Sequence, residues 1–142
     1  MKLYFLFVIS VLLAVVVHGQ TPVGKWRMVS YTQETRDGKK TDILKDFVKD
    51  YPCATSTVVA FDAVGNLTAR ADKCPADMQQ PGLGTKWKMP SKNKIQIFLD
   101  DDDTDPVTYN LEVTGNRMHW TINYATEDAT DIKQLVAEFV KS

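Results

Sequence analysis

The sequence is short of the residues that carry most catalytic and metal chemistry. It has two histidines, and only His119 lies outside the apolar leader. It has two cysteines, Cys53 and Cys74, without the close spacing of a zinc or thiol redox pair. No Gly-x-Ser-x-Gly, His-Glu-x-x-His or nucleotide-binding glycine loop occurs. His119 falls mid-strand on a polar face beside Trp120, with no second ligand type near it. We therefore expect no catalytic residue, no metal ligand, no cofactor and no enzymatic activity. Strong charge of one sign is also missing. Setting Lys2 aside, 16 basic residues face 18 acidic ones, a net charge of −2, and no long basic block occurs. Nucleic acid and anionic membrane are poor partners for such a surface.

Long apolar runs are missing as well, with one exception. Met1-Lys2 is followed by LYFLFVISVLLAVVV, and Val17 and Gly19 stand three and one residues before Gln20. A positive start, an apolar stretch and small residues are the layout of a secretory signal peptide. The run has about 15 residues, short of the ~20 that span a bilayer. We read 1–19 as a leader cleaved before Gln20, and 20–142 as a single domain that is secreted and extracellular, with no stable membrane span. Export places Cys53 and Cys74 in an oxidising compartment, where two cysteines allow one disulfide.

What the rest of the chain does have is alternation. Trp26, Met28 and Ser30 share a face against Lys25 and Arg27. Thr57, Val59 and Phe61 follow, then a turn at Ala63–Asn66, then Leu67, Ala69 and Ala71. Trp87 and Met89 come next, then Ile95, Ile97 and Leu99. Val107, Tyr109, Leu111 and Val113 lead to a turn at Thr114–Asn116, and Met118, Trp120, Ile122 and Tyr124 close the series. About seven short strands joined by short turns suit an antiparallel meander that closes into a barrel or packs as a sandwich. Two segments keep helical spacing instead. Ile43, Leu44, Phe47, Val48 and Tyr51 predict a helix capped by Thr41 or Asp42 and stopped by Pro52. Ile132, Leu135, Val136, Phe139 and Val140 predict a C-terminal helix packed outside the barrel, with Asp131 and Gln134 as a capping box. A final strand pair is the alternative for that segment, because valine and phenylalanine also suit strands.

Three features carry possible chemistry. The acidic run Asp100–Asp105 puts aspartate at positions 1, 3 and 5 of a loop starting at Asp101, with Glu112 at position 12. Position 6 is Pro106, where a calcium loop turns on glycine, and the following residues alternate as a strand. We read a hairpin loop with a solvated charge cluster. Asn66-Leu67-Thr68 is an N-glycosylation sequon at a hairpin tip. The last feature is the inward apolar set: Trp26, Met28, Val59, Phe61, Leu67, Ala69, Trp87, Ile97, Tyr109, Leu111, Trp120 and Ile122. A barrel of about eight strands either fills its interior or holds one small ligand. The small residues Ala69, Ala71, Ser30 and Thr57 favour space inside.

Gly24-Lys25-Trp26, close after the leader and opening the first strand, resembles the Gly-x-Trp signature of the lipocalins and the wider calycin group. The order Gly-Lys-Trp-Arg-Met-Val-Ser, Cys53, the Phe61–Gly65 hairpin, Cys74 and the Trp87 strand resembles the small secreted lipocalin-like domain proteins. The resemblance covers most of 23–124. Thr114-Gly115-Asn116 stands where lipocalins carry a Thr-Asp-Tyr turn, and Arg117 is the candidate for their late arginine that packs on the tryptophan. The family implies an antiparallel up-and-down barrel, mainly β, with a short helix after the first strand. It also implies a monomer that carries a small hydrophobic ligand, a lipid, retinoid or similar, in its cavity. Trp26 would close the floor, and the inward set would line the wall. The alternative is a secreted protein-interaction module with a filled core, such as a protease inhibitor, acting on a protein partner through its loops. The reading of the acidic loop is checked by calorimetry: titration with millimolar calcium is expected to give no heat of binding.

Overall fold

The computed structural model describes residues 20–76, 84–100 and 104–142. The leader at 1–19 and Asp101–Asp103 of the acidic run lie outside the described residues. Strand β1 is Gly24–Thr35, β2 Lys40–Asp42, β3 Thr57–Phe61, β4 Leu67–Ala71 and β5 Lys86–Ser91. Then come β6 Lys94–Phe98, β7 Val107–Thr114, β8 Arg117–Asn123 and β9 Ile132–Lys141. All pair antiparallel in the order β4-β3-β1-β9-β8-β7-β6-β5, with β2 added alongside β1. The sheet curls into a half-barrel whose concave face carries the core. Its two edge strands meet at one end only, at an isolated bridge between Asn66 and Lys86.

That meeting point is built by a tight turn. Both Asp62 carboxylate oxygens accept from Asn66, Oδ1 from its backbone N–H at 2.8 Å and Oδ2 from its side-chain amide at 2.7 Å. These donors hold the Asp62 carboxyl below the ordinary carboxylate range, the Asn66 backbone N–H most of all. Gly65 takes φ +98°, where a side chain is strained, and a Cβ there would lie 3.1 Å from the Trp87 carbonyl oxygen. With that space open, the Trp87 backbone N–H donates to Gly65 O at 2.9 Å, and its indole Nε1 donates to Asn66 O at 3.1 Å. The sequon asparagine is thus a hub of the closing turn.

The seven strands read from alternation are all present. The C-terminal segment is not a helix: Ile132–Lys141 is a strand, and it lies in the interior of the sheet. It pairs with β1 from Trp26↔Lys141 to Thr35↔Ile132 and with β8 from Arg117↔Val140 to Asn123↔Gln134. The helical stripe splits in two here. Phe139 is buried in the core together with Ala137, which the stripe did not include, while Val136 and Val140 on the other face lie only partly covered. β-branched residues and the unsatisfied edges of β1 and β8 outweigh the helical spacing.

A second departure is in β1. The register slips between Met28↔Phe139 and Ser30↔Glu138, so Val29 is an extra residue in a bulge. Parity flips beyond it. Ser30, expected inward, shares the side of Glu138, and Tyr31 packs against the core instead.

Helix α1, Ile43–Asp50, forms where helical spacing placed it, with Asp42 rather than Thr41 as its cap. Asp42 Oδ1 accepts from the Lys45 backbone N–H at 3.0 Å. The helix ends before Pro52, which begins a 3-10 turn, Pro52–Ser56. Trp26 is fully buried and donates from Nε1 to the Pro22 carbonyl at 2.7 Å. The cation over its ring is Lys141 Nζ, 5.3 Å from the ring centroid, and not Arg117, which pairs with Thr114 and Val140 and is exposed. Cys53 and Cys74 form a disulfide with Cα atoms 5.0 Å apart, tying the 3-10 turn to the chain after β4. A bridge over this sequence separation stabilises by about 3 kcal/mol in the chain-entropy view. Replacing both cysteines with serine is expected to lower urea-unfolding stability by about that amount and to steepen the slope, because the unlinked unfolded chain is less compact.

Candidate functional site

Strand β8 carries the centre of the concave face. Trp120 stands opposite Leu111 of β7 and Ala137 of β9. Alanine leaves room beside the indole, and larger rings fill in around it. Phe139 lies 4.8 Å from Trp120, Tyr109 5.2 Å, and Phe61 5.7 Å at an edge-on 80°. Phe61 in turn meets Trp87 edge-on at 5.8 Å. These separations and angles are the favourable offsets of aromatic pairs, so the rings bind one another as well as burying area.

The predicted inward set therefore sorts by depth. Trp26, Val59, Phe61, Leu67, Ile97, Leu111 and Trp120 are core residues, each at most 3 % exposed. Met28, Ala69, Trp87 and Tyr109 pack on that core while partly open. Ile122 is partly buried and stands outside the cluster, paired with Leu135. The end of the interior around Trp26 and Trp120 is filled by side chains. Sequence reasoning missed Ala137 and Phe139, which it placed on a helix, and Tyr31, which the bulge turns inward. Ile95 and Met118 share the faces of Ile97 and Trp120 and are fully buried.

Polar atoms on this face are few, and they share one property. Trp120 Nε1 is buried with no hydrogen-bond partner among the described residues. Tyr31, Tyr109 and Tyr124 lie close enough for their phenols to oppose one another's ionisation. Burial, then Tyr31 and Tyr124, push Tyr109 up to about 12. Burial, then Tyr124, raise Tyr31. Burial therefore keeps the Tyr31 and Tyr109 phenols as neutral donors, and a tyrosine hydroxyl such as that of Tyr124 can also donate. Indole and phenols together present donors on an apolar wall, an arrangement complementary to an apolar molecule with an acceptor oxygen.

No protein-family model, curated protein or solved structure matches the chain. No helix among the described residues is long and apolar enough to cross a membrane.

Tyr109 gives a pH test. Its neutral form is favoured by the fold, so its contribution is complete below the unfolded tyrosine value near 10. It is lost as pH rises from there through about 12, because the unfolded chain releases that proton first. Phenolate absorbance is expected to show one late-titrating tyrosine, absent in Tyr109→Phe, and stability is expected to fall across that window.

Proposed function

We propose that the chain is a secreted, lipocalin-like binding protein that carries a small apolar molecule against the concave face of its half-barrel. One observation supports this most directly: the Trp120 indole N–H is buried without a partner among the described residues. Buried polar groups are paired in the great majority of cases, and an orphan donor costs roughly 1–3 kcal/mol. A ligand with one acceptor oxygen would relieve that cost where the aromatic wall is already assembled. Tyr31 and Tyr109, half-open on the same face, and Tyr124 beside them would hold the polar end. Tyr109, Trp87 and Met28 would cover the apolar body. The driving force is apolar area removed from water, at ~25 cal/mol per Å². The ordered Gly-Lys-Trp, two-cysteine pattern and the disulfide fit an exported calycin-type protein, though they do not identify the ligand.

The depth of packing around Trp26 and Trp120 favours a second reading, a protein-interaction module with a filled core that acts through its loops. Fatty acids, retinoids and haem titrated against intrinsic tryptophan fluorescence decide between them. The binding reading expects a saturable change with at least one ligand carrying an acceptor oxygen. By calorimetry, Trp120→Phe is expected to weaken that ligand by roughly two- to tenfold while keeping the fold, the worth of one net hydrogen bond. No response to any of the three would discard the concave site and leave the interaction module.

A further inference from the structure

The convex side of the sheet holds a hollow of about 710 Å³ between α1, the 3-10 turn and the outer faces of β1 and β3. That volume is in the range of small-molecule sites, roughly 300–1,000 Å³. Its apolar lining comes from Val29, Leu44, Val48 and Val58, with Ala54 and an edge of Met28. Val29 faces outward by the alternation of β1 after Met28, and at the bulge it is 42 % exposed. Leu44 and Val48 are one turn apart on α1, so the amphipathic helix turns its apolar stripe to this hollow. The wall from the 3-10 turn is fixed by two links: the Cys53–Cys74 disulfide, and the Lys73 backbone N–H donating to Ser56 Oγ at 3.2 Å.

The charges around this lining are mostly of one sign. Arg27, Lys45 and Lys73 border the hollow, and none of them has an ion pair among the described residues. The one acidic side chain present, Asp42, is engaged as the cap of α1. Ser142 borders the hollow as well, its backbone N–H held by Lys25 O. Three exposed cations with no ion pair among the described residues, around an apolar floor, are complementary to one kind of occupant. An anionic head group would meet the cations with charge-assisted hydrogen bonds, and an apolar chain would cover the valines and leucine.

We propose that this convex hollow is a binding site for a free single-chain carboxylate amphiphile of fatty-acid type, separate from the concave face. Its recognition elements are Arg27, Lys45 and Lys73 for the carboxylate and Val29, Leu44, Val48 and Val58 for the chain. The proposal stands whether or not the concave face takes a ligand.

The test is a titration of the isotope-labelled full chain with laurate below its micelle concentration, followed by amide chemical shifts. Saturable shifts at Val29, Leu44, Val48, Val58 and Lys73 are expected, with dodecanol binding about tenfold more weakly for want of the charge. The pair Lys45→Glu and Lys73→Glu, both exposed positions, is expected to weaken laurate about tenfold with an unchanged melting temperature. Should that pair fail to fold, Thr55→Trp on the exposed rim of the hollow serves in its place, by obstructing the chain. Shifts confined to Trp120 and Tyr109, equal binding of dodecanol, or binding only to vesicles of anionic phospholipid would each overturn the proposal. Groove shifts without Trp120 shifts would uphold it and leave the concave reading to its own titration.

Discussion

The pairing of β9 between β1 and β8 is the constraint on which the rest of the molecule depends. It joins the first strand of the described chain to the last, and every other strand hangs from one side or the other of this three-strand centre. Without β9, β1 and β8 would each present a long row of unpaired backbone groups. The core would also lose Phe139 and Ala137, the neighbours that seat Trp120. The β1–β9 contacts are far apart in sequence, so their loop-closure cost falls before any of them forms. The short hairpins at Gly65 and Gly115 reduce that cost by assembling the two flanks locally.

The bulge in β1 is the local price of this arrangement, and both surfaces of the sheet are shaped by it. One extra residue lets β1 follow the curl while keeping its pairing with β9. Ahead of the bulge Trp26 and Met28 point inward; beyond it Tyr31 does. Val29, at the bulge, faces the convex side and is floor for the hollow beneath α1. A single irregularity thus adds a phenol to the concave face and moves Ser30 to the convex one. A regular strand would have put Ser30 inside and kept Tyr31 on the convex side.

This also explains where the sequence was legible and where it was not. Strands β1 and β3 to β8 follow from alternation because each has one face on the core and one toward water. Helix α1 follows from its stripe, its aspartate cap and Pro52. The C-terminal segment was ambiguous in principle. Ile132, Leu135, Val136, Phe139 and Val140 line up at helical spacing, yet Leu135, Ala137 and Phe139 also alternate. Only the long-range need of β1 and β8 for a partner decides between the two. The bulge has no glycine or proline to announce it, so Tyr31 stayed hidden. The convex hollow was less legible still, since its lining residues come from five separated segments and none belongs to a motif.

The concave face shows a gradient that bears on function. Around Trp26 every need is met locally: the indole donates to Pro22, the ring carries a lysine above it, and side chains fill the space. Trp26 is in that sense a structural residue, and its position at the start of β1 is explained by folding alone. Trp120 shares its depth but not its satisfaction, for its N–H has no acceptor. Beyond it the wall opens toward Tyr109 and Tyr31, whose phenols burial keeps protonated. Phenylalanine at this position would fill less space but would leave no donor to satisfy. The unpaired indole donor at the edge of the filled region, with phenol donors outside it, is the observation on which the proposed binding reading rests.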